Sequence, residues 1–159
     1  MKTRNAKTAA FTVGGIVLTA LLIIGGIFMF GKSGATISSC ESLTLRLSGM
    51  RLTEEYEITC DGDTAHISHY YFTYADGSEQ RELQNSTDCP SEELVDILNE
   101  CGFAKWNGFS GKHPKYVTDG TMFSLKATVN GGTEIRADGS ENFPKNFHTF
   151  TYWLQEKLA

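Results

Sequence analysis

The longest apolar run in the chain covers residues 11–30, where twenty consecutive residues carry no charged or strongly polar side chain. As a helix rising 1.5 Å per residue, this run would be about 30 Å long, which matches the hydrocarbon core of a bilayer. We therefore predict a transmembrane helix over residues 11–30. It would follow a short cytoplasmic segment, residues 1–10, and precede a polar stalk, residues 31–41, and a globular domain, residues 42–159.

Beyond the predicted stalk, the period of the apolar positions indicates strands and helices. Alternation of apolar and polar residues is typical of a strand with one buried face, and spacings of three and four residues are typical of a helix. Strands are predicted over residues 43–48, 55–60, 64–74, 79–84, 122–129 and 133–137, and helices over 90–101 and from Pro144 onwards. This order, βββ(β)αββα, predicts an α+β fold in which two helices pack on one face of an antiparallel sheet.

Charge is distributed unevenly between the two ends of the chain. The net charge is −5 and the first forty residues carry +4, so residues 41–159 carry −9. Three of the basic residues precede the apolar run, and the positive-inside rule therefore predicts a cytoplasmic N-terminus and a domain outside the cell membrane. A domain this acidic repels a phosphate backbone, which argues against nucleic-acid binding.

Two other fates of the N-terminal segment stay open at this point. The small residues that end at Ala35 suit a signal peptidase, and the residues before Cys40 resemble the lipobox of a bacterial lipoprotein. An apolar run of twenty residues is long for a signal peptide, which favours an uncleaved anchor. Six small or polar residues, 31–36, separate the lipobox-like sequence from the apolar run, whereas the two usually adjoin.

The four cysteines, at positions 40, 60, 89 and 101, all lie in the part predicted to be outside, where disulfides persist. A helix over residues 90–101 would hold Cys89 and Cys101 about 16 Å apart, too far for a disulfide. We predict a disulfide bond between Cys60 and Cys101. The alternatives are a bond between Cys60 and Cys89, and free buried thiols. The absence of a C-x-x-C spacing argues against a zinc site.

No motif of a known catalytic class occurs in the chain. His66 and His69 form an H-x-x-H pair, but positions i and i+3 of a strand point to opposite faces, so a shared metal ion is not expected. We therefore predict no catalytic residues, no metal site and no cofactor, and a binding protein is favoured over an enzyme.

Aromatic residues are the best candidates for a binding site. Trp106, Phe109 and Tyr116 lie in the least regular part of the domain, residues 103–120, and long irregular loops are often functional. Tyr70 and Tyr74 share one face of the predicted third strand. If the opposite face of this strand packs on the helices, the Tyr70 face is open, and exposed aromatic patches mark binding surfaces.

The C-terminal part of the chain contains WNGF at 106–109, DGTMFSL at 119–125, the NGG turn at 130–132 and GSENFPKNF at 139–147. Over about the last fifty residues it resembles small, uncharacterised membrane-anchored or lipoprotein domains of Gram-positive bacteria. The resemblance implies a location and no activity.

Together these features predict a membrane-anchored extracytoplasmic binding or interaction domain. Its expected contacts are the lipid bilayer, through residues 11–30, and a protein or wall component of the cell envelope. The alternatives are an envelope enzyme of hydrolase type and a structural subunit of a membrane complex.

Overall fold

The computed structural model describes residues 36–50 and 52–159. The predicted cytoplasmic segment, residues 1–10, and the predicted transmembrane helix, residues 11–30, lie outside these ranges. Within the ranges, no helix has both the length and the apolar character needed to cross a membrane.

The described residues form seven strands, two α-helices and one 3-10 helix. The strands are β1 (Cys40–Ser48), β2 (Thr53–Asp61), β3 (Thr64–Ala75), β4 (Ser78–Pro90), β5 (Phe109–Gly111), β6 (Met122–Val129) and β7 (Thr133–Ser140). The helices are α1 (Ser91–Cys101) and α2 (Phe147–Lys157), and the 3-10 helix covers Phe103–Trp106. The α+β class is therefore confirmed.

All seven strands belong to one sheet, in the order β4-β3-β2-β1-β6-β7-β5. The first four strands form an antiparallel meander, and β6 and β7 continue the antiparallel pairing from β1. At one edge of the sheet, β5 pairs with β7 in parallel. The sheet is therefore mixed, and the prediction of an antiparallel sheet was wrong at this edge. A strand of three residues is too short to show an alternation that would have revealed it.

The hydrophobic core lies between one face of the sheet and the two helices. The alternation predicted for residues 122–129 is confirmed, because Phe123, Leu125, Ala127 and Val129 are buried. In α1 the buried residues are Leu94, Ile97, Leu98 and Cys101, at the spacing that predicted the helix. In α2 they are Phe147, Phe150 and Leu154. No helix within residues 36–50 and 52–159 covers the opposite face of the sheet, which is called the outer face below.

The domain begins earlier than the sequence predicted, because residues 36–41 are packed into it. Ile37 is only 2% exposed. Its backbone N–H donates to Asn99 Oδ1 at 2.9 Å, and Asn99 Nδ2 donates back to the Ile37 carbonyl at 2.8 Å. The Asn130 amide likewise holds the backbone of Thr36 and Ser38. These residues are therefore part of the domain and not a stalk.

All four cysteines are free thiols, so the predicted disulfide between Cys60 and Cys101 is not formed. Cys60 lies on the core face of β2, near Cys40 of the neighbouring strand β1. Cys101 is buried at the end of α1, and burial followed by the charge of Glu100 raises its pKa to about 11. The cysteine nearest to Cys60 across the sheet is therefore Cys40 of β1, whereas Cys101 is held at the end of α1.

Candidate binding surface

The exposed apolar side chains of the domain are concentrated at one end of the sheet. Eight large hydrophobic residues are exposed in the described part of the chain, and six of them lie at this end. We call these six the strand-end surface: Met50, Leu52, Tyr74, Tyr116, Val117 and Met122. Apolar residues scattered singly need no explanation, whereas a group of this kind is typical of an interaction site.

The sheet register brings these residues together from four separate segments. Ser48, the last residue of β1, pairs with Met122 on one side and with Thr53 on the other. The turn with Met50 and Leu52 and the first residue of β6 therefore lie at the same end of the sheet. Thr53 pairs in turn with Phe72, which places Tyr74 and the β3–β4 turn at this end as well.

Two adjoining depressions of about 440 and 470 Å³ follow this end of the sheet. One has Arg46, Ser48, Met122, Asp138 and Ser140 among its walls, so it offers both a cation and hydroxyl groups. The other is bordered by Met50, Leu52, Phe72, Tyr74 and Glu79. The strand-end surface therefore combines apolar rings and thioethers with polar groups that could orient a partner.

Residues 112–121 connect β5 to β6 and are held to β7 by specific hydrogen bonds. His113 Nδ1 lies 2.8 Å from Ser140 Oγ, and its Nε2 lies 2.6 Å from the Val117 carbonyl. The backbone N–H of Thr121 donates to the Glu141 carboxylate. The loop is thus fixed at its base, while Tyr116 is 98% exposed at its tip. Of the residues predicted to form the binding site, Tyr116 is the most exposed in the structure.

Trp106 and Phe109 do not belong to the binding surface, which corrects the prediction for both. Trp106 is 2% exposed, and its indole N–H donates to the Lys145 carbonyl at 3.1 Å. Its ring packs with Phe103 and Phe147, at centroid distances of 4.8 and 5.8 Å. Phe109 is partly buried against Phe123 in the same core. The two rings stabilise the fold because the 3-10 helix and β5 turn them inward.

Tyr70 lies on the outer face as predicted, but an arginine covers its ring. The Arg81 guanidinium lies 3.4 Å from the ring centroid and also pairs with Glu55 and Glu57 at 2.7 and 2.6 Å. Arg46 covers Phe72 in the same way, at 4.2 Å. Tyr70 is therefore half-buried in a layer of stacked arginines, whereas Tyr74 is 79% exposed beyond it. Of the predicted site residues, Tyr74 and Tyr116 remain available to a partner.

The histidines of the H-x-x-H pair lie on opposite faces of the sheet, each with a carboxylate. His66 Nδ1 is 2.7 Å from Asp88, and His69 Nε2 is 2.9 Å from Glu54. His69 also stacks on Tyr56 at a centroid distance of 4.5 Å. Burial, followed by the Glu54 charge, raises the pKa of Tyr56 to about 12, so its hydroxyl stays protonated at neutral pH. Residues 36–50 and 52–159 contain no group of three or more side chains suited to hold a metal ion.

Sequence reasoning missed Met50, Leu52 and Met122. Each is an apolar residue in or beside a turn, where it breaks no pattern and fits no stripe.

Comparisons of the chain with protein families, with curated proteins and with solved structures found no match. The inference about function therefore depends on the geometry of the domain and on the sequence itself.

Proposed function

We propose that this protein is a membrane-anchored binding module whose extracytoplasmic domain docks a protein partner through the strand-end surface. The observation that supports it most is the concentration of six exposed apolar side chains at one end of the sheet. The apolar run over residues 11–30 and the charge asymmetry of the sequence support the location.

The chemistry of the strand-end surface favours a protein partner. Tyrosine and methionine are enriched at protein interfaces, tyrosine because it offers a large contact area at low entropic cost and methionine because it adapts its shape. The surface contains two residues of each type, Tyr74, Tyr116, Met50 and Met122. The net charge of −9 over residues 41–159 disfavours nucleic acid as the partner.

The position of this surface suits a tethered domain. The chain enters the domain at Thr36 and Ile37, beside the first residue of β1, and the strand-end surface lies beyond the last residue of that strand. Eight residue steps of about 3.3 Å separate the two ends by roughly 26 Å. A partner bound at the strand-end surface would therefore leave Thr36 and Ile37 uncovered.

Site-specific photo-crosslinking in intact cells tests the docking. A photoreactive phenylalanine derivative replaces Tyr116, and a matched control replaces Tyr152, which is 61% exposed on α2 away from the strand-end surface. We expect a discrete crosslinked protein at position 116 that is absent at 152 and is lost when Met50→Ser and Met122→Ser are added. Equal crosslinking at both positions, or none at 116, would contradict the proposal.

The anchor has a separate test in cell fractionation and protease treatment. The full chain should stay with membranes after washing at high pH, and protease added outside wall-free cells should digest the domain. A charged residue at the centre of a transmembrane helix costs about 3 kcal/mol, so Leu21→Lys with Ile23→Lys should release the protein from membranes. A parent protein that is released by washing or protected from outside protease would refute the location.

A further inference from the structure

Cys40 and Cys60 lie side by side on the core face, at the end of the sheet opposite the strand-end surface. In β2 the core-facing positions alternate, and Cys60 follows the buried Ile58. In β1 a bulge between Cys40 and Ser42 shifts the alternation by one residue, so Cys40 also faces the core and is buried. Ser42 pairs with Thr59, which places the two cysteines directly beyond this pair. The Cys40 thiol donates a hydrogen bond to the Ser42 carbonyl at 3.8 Å, and the two thiols lie near enough that each affects the pKa of the other.

The other two cysteines are placed less favourably for bonding to Cys60. Cys60 pairs with Ala65 on β3, and Ala65 pairs with Cys89 on β4. Cys60 and Cys89 are therefore two strand spacings apart, about 9.5 Å, which exceeds the Cα separation of about 7 Å that a disulfide tolerates. Cys101 lies on α1, and the charged group that affects its pKa is Glu100 and not another cysteine.

We propose that Cys40 and Cys60 form a disulfide bond when the protein meets an external disulfide oxidant. The thiol of Cys60 is the more accessible of the two, since Cys40 is only 5% exposed. The Cys60 thiolate attacks one sulfur of the oxidant, whose S–S bond breaks and releases one thiolate. Cys40 then loses its proton to solvent and attacks the Cys60 sulfur, which releases the second thiolate. Two protein thiols are oxidised and one external disulfide is reduced to two thiols.

Tryptic mapping distinguishes this pair from the others, because the cleavage sites separate the cysteines. Cys40 falls in peptide 33–46, Cys60 in peptide 52–81, and both Cys89 and Cys101 in peptide 82–105. The full chain in mild detergent is reduced, exposed to oxidised glutathione, alkylated under acid denaturing conditions and digested. We expect peptide 33–46 joined to peptide 52–81 as the main crosslinked product, and two alkylated cysteines in peptide 82–105.

Two variants and one unfolded control make the test decisive. The double variant Cys89→Ser with Cys101→Ser should keep the crosslink, and Cys40→Ser should abolish it. The same oxidation in concentrated urea should give a mixture of pairs, because the native contact no longer selects one. Peptide 52–81 joined to 82–105 in the folded protein, four alkylated cysteines after oxidation, or a lipid on Cys40 would each overturn the proposal.

Discussion

The burial of Trp106 predicts that this residue determines stability and not binding. Trp106→Ala removes an indole that is 2% exposed and packed among three phenylalanines. A buried tryptophan removes about 150–250 Å² from water, worth about 4–6 kcal/mol at 25 cal/mol per Å². This is an upper value, and measured substitutions of core tryptophan by alanine cost about 3–5 kcal/mol. The change is a large part of the about 5–15 kcal/mol by which domains are stable.

Urea unfolding of the full chain, followed by far-ultraviolet circular dichroism, measures this effect. Fluorescence is unsuitable because the variant retains only one of the two tryptophans. Tyr116→Ala is the matched control, because this ring is 98% exposed and its removal should change the free energy of unfolding by no more than about 0.5 kcal/mol. If the alanine variant of Trp106 fails to fold, Trp106→Phe should still cost about 1–2 kcal/mol. A loss below about 1 kcal/mol for Trp106→Ala would refute the core assignment.

Three further predictions concern stability. Burial raises the pKa of the thiols of Cys40 and Cys101 from 9.0, to about 12 and about 11, so the native state favours protonated thiols. The reduced protein should therefore keep this stabilisation below pH 9 and lose it between pH 9 and pH 12, and a flat urea midpoint over this range would contradict the assignment. A disulfide between Cys40 and Cys60 closes a loop of about twenty residues and should add about 3 kcal/mol, seen as a melting temperature about 10 °C higher after oxidation. An unchanged melting temperature with the bond formed would show that strain cancels the gain. Gly139→Ala should cost about 1–3 kcal/mol in urea unfolding, because the new Cβ would lie 2.4 Å from the Asn142 carbonyl oxygen; a neutral effect would show that this contact relaxes freely.

The sequence was informative wherever one face of an element is buried. Residues 122–129 alternate strictly, and the stripe of α1 repeats at helical spacing, so both elements were predicted within a residue or so. Almost all of β4, by contrast, is exposed, and its polar residues show no alternation. Its pairing with β3 depends on backbone hydrogen bonds, which any sequence can make. The prediction therefore stopped at residue 84, although the strand continues to Pro90.

The candidate site was harder to predict because its members come from separate segments. Trp106 and Tyr116 are both single aromatic rings in a glycine-rich region without periodicity. The sequence gives no reason to place one ring in the core and the other in solvent. The strand-end surface likewise depends on the register of β1 with β2 and β6, which places Met50 and Met122 at the same end of the sheet. Register is set by tertiary packing, so the surface became visible only with the fold.

The docking proposal is tested most directly by photo-crosslinking from position 116 in intact cells, compared with position 152. Both native tyrosines are exposed, and one lies on the strand-end surface while the other lies on α2. We expect one discrete partner protein crosslinked from position 116, lost with Met50→Ser and Met122→Ser and absent from position 152. The same products from both positions, or products unaffected by the two serine substitutions, would contradict it.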